Sequence, residues 1–280
     1  MGSKGSVKNQ RQEEISSSNT GFFEMVRKAI KVEFQGHRGL LLRGVHHVPQ
    51  SSPKGGVILC HCFTCSKDFK IINWLSKELS SLGFSTLRFD FAGLNTSDGN
   101  FEETNLSTNI EDLFHAVEWL GDQGIPVRAL IGHSMGGTAA VLTASQLPGI
   151  ESVVVLGTSS ETTALKRLLS ADHMAQLESQ GRTDLRIGGK TVTLNRAFFE
   201  DLYHHSLLET VAKWNKALLI FHGTRDQVVP IQSGERIFQN AVHPKAFTAV
   251  ADAGHLFAEN REKAIEMAKT IASWIEMNRM

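Results

Sequence analysis

The chain has 280 residues, 41% hydrophobic and 21% charged, an ordinary globular composition that excludes a disordered chain. Its 29 Lys plus Arg balance 29 Asp plus Glu, so no basic field exists to hold nucleic acid. No run of 18 apolar residues occurs, so no membrane span is expected.

Residues 1–20 are polar and lack the apolar stretch of a secretory signal. They read as a disordered tail ahead of one domain over 21–280. A single α/β domain of this length is normal. The three cysteines, Cys60, Cys62 and Cys65, crowd into six positions and form no disulfide framework of a secreted protein, so a cytoplasmic setting is expected. Two short runs, 31–34 and 40–45, flank Gly36-His37-Arg38-Gly39 and predict a β-hairpin.

The pattern then changes. Val57–Cys60 is a continuous apolar run, as in a strand buried on both faces. Ile72, Leu75, Leu79 and Leu82 predict a helix, 84–89 a strand, and Ile110, Leu113, Val117 and Leu120 a second helix. Strand 127–131 and helix 135–146 follow, then strands 152–156 and 217–221, helix 232–242, strand 246–250 and helix 259–277. Such alternation predicts a mainly parallel sheet covered by helices on both faces. About sixty residues between 156 and 217 break the rhythm. Helical stretches at 162–179 and 196–213 flank a hairpin-like piece, 185–194. Residues 159–213 therefore read as a small lid over the C-terminal edge of the sheet. Its Met174, Leu177, Phe198, Phe199, Leu202 and Tyr203 suit either an apolar substrate or packing of the lid onto the sheet.

The strongest chemical signal is Gly132-His133-Ser134-Met135-Gly136, a Gly-x-Ser-x-Gly sequence directly after a strand and before a helix. A turn this sharp strains the central residue and exposes its hydroxyl above the sheet. A serine nucleophile needs a histidine base and a carboxylate to orient that base, in the chain order Ser, Asp, His. Asp226 follows strand 217–221, and His255 follows strand 246–250, both at the strand ends that line the ligand crevice. Of the twelve histidines most are bystanders. His222 is expected to be packed or hydrogen-bonded, and His133 to turn away beneath the elbow. Asp252 competes with Asp226 on sequence grounds, and Asp90 is expected to fix a loop. His204 and His205 are given surface roles. The tetrahedral oxyanion needs two N–H donors. Met135, next to the nucleophile, and Phe63, in the loop after strand 57–60, are the candidates.

Cys62-Phe63-Thr64-Cys65 is also a C-x-x-C. It fits a redox pair or half a zinc site. Against these stands a compact apolar filler in the oxyanion loop. A thiol redox or metal-responsive protein built on Cys60, Cys62 and Cys65 is thus the rival to a serine hydrolase, and a binding module on an inactive hydrolase scaffold is a third reading.

Taken together, the oxyanion loop, the Ser134 elbow, Gly223-Thr-Arg-Asp226 with Val228-Val-Pro230, and Gly254-His255 resemble the α/β-hydrolase superfamily over residues 30–278. Leu59-Cys-His-Cys-Phe-Thr-Cys-Ser-Lys-Asp68, with Leu87-Arg-Phe-Asp-Phe-Ala-Gly-Leu94, is similar to hydrolases found fused to or beside OsmC-type domains. No OsmC domain is expected within this chain. The resemblance implies an eight-stranded sheet, catalytic Ser134, Asp226 and His255, oxyanion donors Phe63 and Met135, and neither cofactor nor metal. The expected activity is hydrolysis of carboxylic esters through an acyl-enzyme, with a small-molecule ester, thioester or lactone as substrate, a macrolide among them. Serine at the elbow argues against dehalogenase and epoxide hydrolase chemistry, where the superfamily uses aspartate.

Overall fold

The computed structural model describes residues 28–187 and 189–279. The expected tail, 1–20, lies outside them. β1 (Lys28–Gln35) and β2 (Leu41–Val48) form the antiparallel hairpin, each longer than its apolar run. Between them Arg38 and Gly39 turn the chain at φ 53° and 71°. The Asp112 carboxylate locks this turn, accepting from the His37 backbone N–H at 3.0 Å and its Nδ1–H at 2.8 Å.

β3 (Gly56–Cys60), α1 (Lys70–Ser81), β4 (Ser85–Phe89), α2 (Leu106–Asp122), β5 (Val127–His133), α3 (Met135–Gln146) and β6 (Ser152–Leu156) then alternate. After β6 come α4 (Ala171–Gln180), β7 (Arg182–Ile187), β8 (Lys190–Asn195), α5 (Arg196–Asp201) and α6 (Leu207–Lys213). β9 (Ala217–Gly223), α7 (Ile231–Asn240), β10 (Lys245–Val250) and α8 (Arg261–Met277) complete the domain. The eight-stranded sheet runs β1-β2-β4-β3-β5-β6-β9-β10. Among these strands, only β2 runs opposite to the other seven.

Strand alternation divides the apolar side chains between two cores. Ile58, Leu130, Val153, Val155 and Ile220 face α2 and α3, with Leu113, Ala116, Ala140 and Val141. Val57, Leu59, Ile131, Val154 and Leu219 face α1 and α8, with Leu75, Leu79, Ala268 and Ile271. Each of these valine, leucine and isoleucine side chains, fully removed from water, contributes about 1.5–3 kcal/mol. The sheet's two-sided burial explains why its central strands read as unbroken apolar runs. Among the described residues no helix is long and apolar enough to cross a membrane.

The segment between β6 and β9 departs from expectation. The run expected to be helical over 162–179 is a 3-10 stretch (Thr162–Leu168) followed by α4. Ser170 separates them because its hydroxyl accepts from the His173 N–H and starts a new helix. The run 196–213 divides likewise into α5, a 3-10 turn and α6, with Ser206 capping α6 through the Glu209 N–H. Capping serines outweigh apolar spacing at both breaks. Leu177, Phe198, Phe199 and Leu202 are buried in the core, whereas Met174 and Tyr203 are exposed.

Candidate active site

The elbow is built from close backbone contact. A Cβ on Gly132 would lie 2.2 Å from the Gly136 carbonyl oxygen, and one on Gly136 would lie 2.3 Å from the His61 carbonyl oxygen. Only glycine lets β5, α3 and the loop after β3 pass each other here. Ser134 sits at the turn with φ 54° and ψ −121°, a strained conformation for a residue with a side chain. Three donors hold its carbonyl: the Gly137 N–H at 2.9 Å, the Thr138 N–H at 3.3 Å and the Thr158 hydroxyl at 3.1 Å. The Ser134 N–H donates to the Leu156 carbonyl at 2.8 Å. The strain is thus held by the first turn of α3 and by the end of β6.

Three distant residues converge on this turn. Ser134 Oγ lies 3.2 Å from His255 Nε2, and His255 Nδ1 lies 2.8 Å from Asp226 Oδ2. The Asp226 carboxylate is fully buried, and the imidazole is 10% exposed. Burial pushes the Asp226 pKa up. Hydrogen bonding to His222 and His255, the charge of His255 and the Val229 N–H outweigh it and hold the carboxyl well below the usual carboxylate range. Oδ1 accepts from the Val228 and Val229 N–H groups at 2.9 and 2.8 Å, which turns the chain after β9 and aims Oδ2 at the imidazole. With Nδ1–H committed to this carboxylate, Nε2 faces the Ser134 hydroxyl.

Gly157, at φ 54°, leaves room for this assembly. A Cβ there would lie 3.2 Å from Asp226 Oδ2 and 3.3 Å from His255 Nδ1. Nothing in the sequence near Gly157 marks it, because the crowding comes from residues about 70 and 100 positions downstream.

His133 differs from expectation. Its ring does lie beneath the elbow, fully buried and stacked on Phe69 at 5.7 Å, but it does not turn away from the site. Its Nε2–H donates to the His255 carbonyl at 2.7 Å, and the two rings are 5.0 Å apart. Burial, reinforced by the nearby His255 charge, pushes its pKa down to about 3, so it holds His255 as a neutral donor. His222 is packed and hydrogen-bonded, with Nε2 2.9 Å from the Val229 carbonyl and 3.5 Å from Asp226 Oδ2. Asp252 faces solvent and pairs with Arg225 at 2.7 Å, away from the imidazole.

The loop after β3 is held at both ends. At its start, His61 Nδ1–H donates to the Cys62 carbonyl at 2.7 Å, and His61 Nε2 accepts from the Phe91 N–H at 3.3 Å. Burial lowers the His61 pKa, which keeps this one neutral tautomer. At its end, Asp90 accepts from the Lys67 N–H and Nζ, both at 2.7 Å, and from the Thr96 hydroxyl at 2.7 Å. Asp90 therefore fixes this loop. Burial raises its pKa, but the Lys67 and Thr96 hydrogen bonds override that and leave it lowered. Between these anchors the Phe63 ring packs against Phe101 and Phe198, with centroids 5.3 and 5.2 Å away.

The cysteines divide into two kinds. Cys60 is completely buried, and burial pushes its thiol pKa up, as fits a compact apolar filler. Cys62 and Cys65 are not mere fillers: their sulfurs are bonded to each other. Among the described residues no group of three or more His, Cys, Asp or Glu is arranged to hold a metal ion.

A second Ser–His–Asp group links α2 to the segment between β6 and β9. Ser107 Oγ–H donates to Asp201 at 2.5 Å and lies 3.0 Å from His205 Nε2. Its proton already belongs to the carboxylate, so no relay from serine through imidazole exists there. His205, expected on the surface, is thus part of an internal tie.

This arrangement, a strained serine at the strand-to-helix turn of a mostly parallel eight-stranded sheet, defines a class. A family model described as the Alpha/beta hydrolase family matches residues 57–268, and the chain belongs to that family. The esterase domain of a Rhodothermus marinus protein is 31% identical, with TM-score 0.71, covering 87% of this chain and 96% of that one. Est1E from Butyrivibrio proteoclasticus, solved with ferulic acid bound, shares the fold at 20% identity and TM-score 0.76, over 86% of this chain and 97% of that one. The human mitochondrial palmitoyl-protein thioesterase ABHD10 is 28% identical over 173 residues, 58% of this chain and 55% of that protein. The match thus spans about half the length of these curated relatives.

Proposed function

We propose that this hydrolase cleaves carboxylic esters through an acyl-enzyme on Ser134. The observation that carries the reading is the unbroken line from Ser134 Oγ through His255 to Asp226, at 3.2 and 2.8 Å. Ser134 Oγ attacks the acyl carbon while His255 Nε2 takes its proton. Asp226 keeps the imidazole in the needed tautomer and stabilises the imidazolium. His255 returns the proton to the leaving alcohol, and the ester bond breaks. Water, deprotonated by the same nitrogen, then attacks the acyl-enzyme and releases the acid and Ser134. The N–H groups of Met135 and Phe63 stabilise the oxyanion in both halves.

Thioesters fit the same chemistry, since a thiolate leaves more readily than an alkoxide, and the likeness to a palmitoyl-protein thioesterase supports including them. Likeness to an esterase domain and to a protein holding ferulic acid supports oxygen esters. Lactones, which release acid and alcohol on one chain, remain within the class. The segment 159–213 serves as a lid in this reading. The loop residues 59–68 also support grouping the chain with the hydrolases that occur beside OsmC-type domains, and the cytoplasmic setting stays part of the proposal.

The test is a panel of p-nitrophenyl esters, thioesters and lactones with wild type, Ser134→Ala and His255→Ala. Each variant is expected to lose about 10⁴-fold or more in kcat while its thermal midpoint holds within about 3 °C. Turnover retained by either purified variant excludes the assignment.

A further inference from the structure

We propose that Cys62 and Cys65, whose sulfurs meet across the turn that carries Phe63, are positioning residues for the Phe63 N–H, and that joining or parting them tunes acyl transfer. This inference rests on the ester-hydrolase reading above.

The turn is compact. The Cα atoms of Cys62 and Cys65 are 5.2 Å apart, within the range a disulfide spans. The Cys65 N–H donates back to the Cys62 carbonyl at 3.2 Å, so Phe63 and Thr64 are the two central residues of a closed turn. The same carbonyl accepts from His61 Nδ1–H at 2.7 Å. A trans peptide directs its C=O and N–H in opposite directions. Two donors on the Cys62 carbonyl therefore fix the direction of the Phe63 N–H. The loop enters this turn with the His61 carbonyl pressed against Gly136, in the first turn of α3 that also carries Met135. Both oxyanion donors are thus set by one backbone contact, and the sulfur link adds the closure of the second.

The exchange balances without a metal. The thiolate of one cysteine attacks a low-molecular-weight disulfide such as oxidised glutathione and expels one thiolate. The other cysteine then attacks the mixed disulfide and expels the second. Two protein thiols become one disulfide as one small disulfide becomes two thiols, and a dithiol reverses the step. Cys65 is partly exposed, which opens the pair to exchange, while Cys60 is sealed in the core. In a reducing compartment, paired cysteines of this kind are more often functional than structural.

The test uses the full wild-type chain equilibrated in graded mixtures of reduced and oxidised glutathione. Thiols are counted with a chromogenic disulfide after denaturation, and p-nitrophenyl butyrate kinetics are measured on the same samples. The bridged form is expected to have kcat about 10-fold higher than the dithiol form, a fraction of what losing a whole oxyanion donor costs, with KM unchanged within about 2-fold. The inhibition constant of a trifluoromethyl ketone, whose adduct with serine carries the oxyanion, is expected to rise by the same factor on reduction. Cys62→Ala with Cys65→Ala is expected to hold kcat at the reduced value in every mixture. Equal kcat in both states, a change in KM alone, or two thiols that stay free in oxidised glutathione each overturn the inference and leave the hydrolase reading standing. Absence of Ser134-dependent turnover in both states overturns that reading, and this inference with it.

Discussion

In β3, β4, β6 and β9 every residue is buried, while in β7 and β8 buried positions alternate with exposed ones or are sparse. The first set, with β5 among them leading into the elbow, forms the middle of the sheet; β6 ends just before Gly157, and β9 ends just before Asp226. The second is a two-stranded piece lying outside the sheet. A two-stranded hairpin is marginal alone and stays in place only through its neighbours. The segment around it gains such support from Leu177, Leu185, Leu194, Phe198 and Phe199 in the shared core. The difference separates two tasks. The candidate site groups stand at rigid strand ends, whereas the segment around β7 and β8 stands on turns and short helices supported mainly by the shared core.

The largest expected effect comes from breaking the rigid side. Gly136→Ala would set a methyl against the His61 and Cys60 carbonyls, and backbone cannot swing aside as a flexible side chain can. The expected cost is about 3 kcal/mol, a thermal midpoint lower by roughly 6 °C or more, with loss of fluorophosphonate labelling at Ser134. A variant that labels at the wild-type rate would show that the close contact is not needed.

Acid is the next probe, again of the rigid side. His46 and His133 are buried and their pKa values are pushed down to about 4 and about 3, largely by burial. The unfolded chain takes up their protons below about pH 6.5, whereas the folded chain does not. Stability is therefore expected to fall as pH drops from about 6.5 toward 4, by about 2 kcal/mol per histidine at pH 5. Urea midpoints measured across this range check it. His46→Gln, which can keep a hydrogen bond to the Ser85 hydroxyl now 2.6 Å from His46 Nε2, should flatten the slope.

Phe198→Leu probes the looser side. It trims the ring that packs on Phe63 and Phe199. The expected loss is about 1 kcal/mol, with kcat falling more than the midpoint alone would imply, since Phe63 loses one wall. Equal wild-type kcat at full occupancy would separate the segment from the loop after β3.

The smallest effect has the opposite pH sign. The hydrogen bond and charge of Asp112 raise the His37 pKa against the opposing effect of burial. That contribution is full below the unfolded pKa of about 6.5 and is lost as pH rises through the higher folded value. His37→Gln should lose stability at pH 6 and less at pH 9, by about 1 kcal/mol or less.

Much of the site was legible because its chemistry is written locally. Gly132-x-Ser134-x-Gly136 encodes a turn that few other sequences permit, and Asp226 and His255 each follow a strand whose apolar run is plain. The order of elements followed from period and length, and Asp252 fell away once its place in the solvent was known. The breaks within the segment between β6 and β9 were less legible, because Ser170 and Ser206 cap new helices at points where the apolar spacing runs on unbroken.

Strand ends, the candidate nucleophile and the family of chemistry are properties of short segments, and short segments carry them in their residue order. The His133 bond to the His255 carbonyl, the space that Gly157 leaves for Asp226, and the bond between Cys62 and Cys65 are of another kind. Each depends on atoms meeting at distances of a few ångströms, and most of these contacts join residues far apart along the chain. Residue order constrains which segments form. Only packing of the sheet against its helices settles which of their atoms touch, because burial and excluded volume act through space.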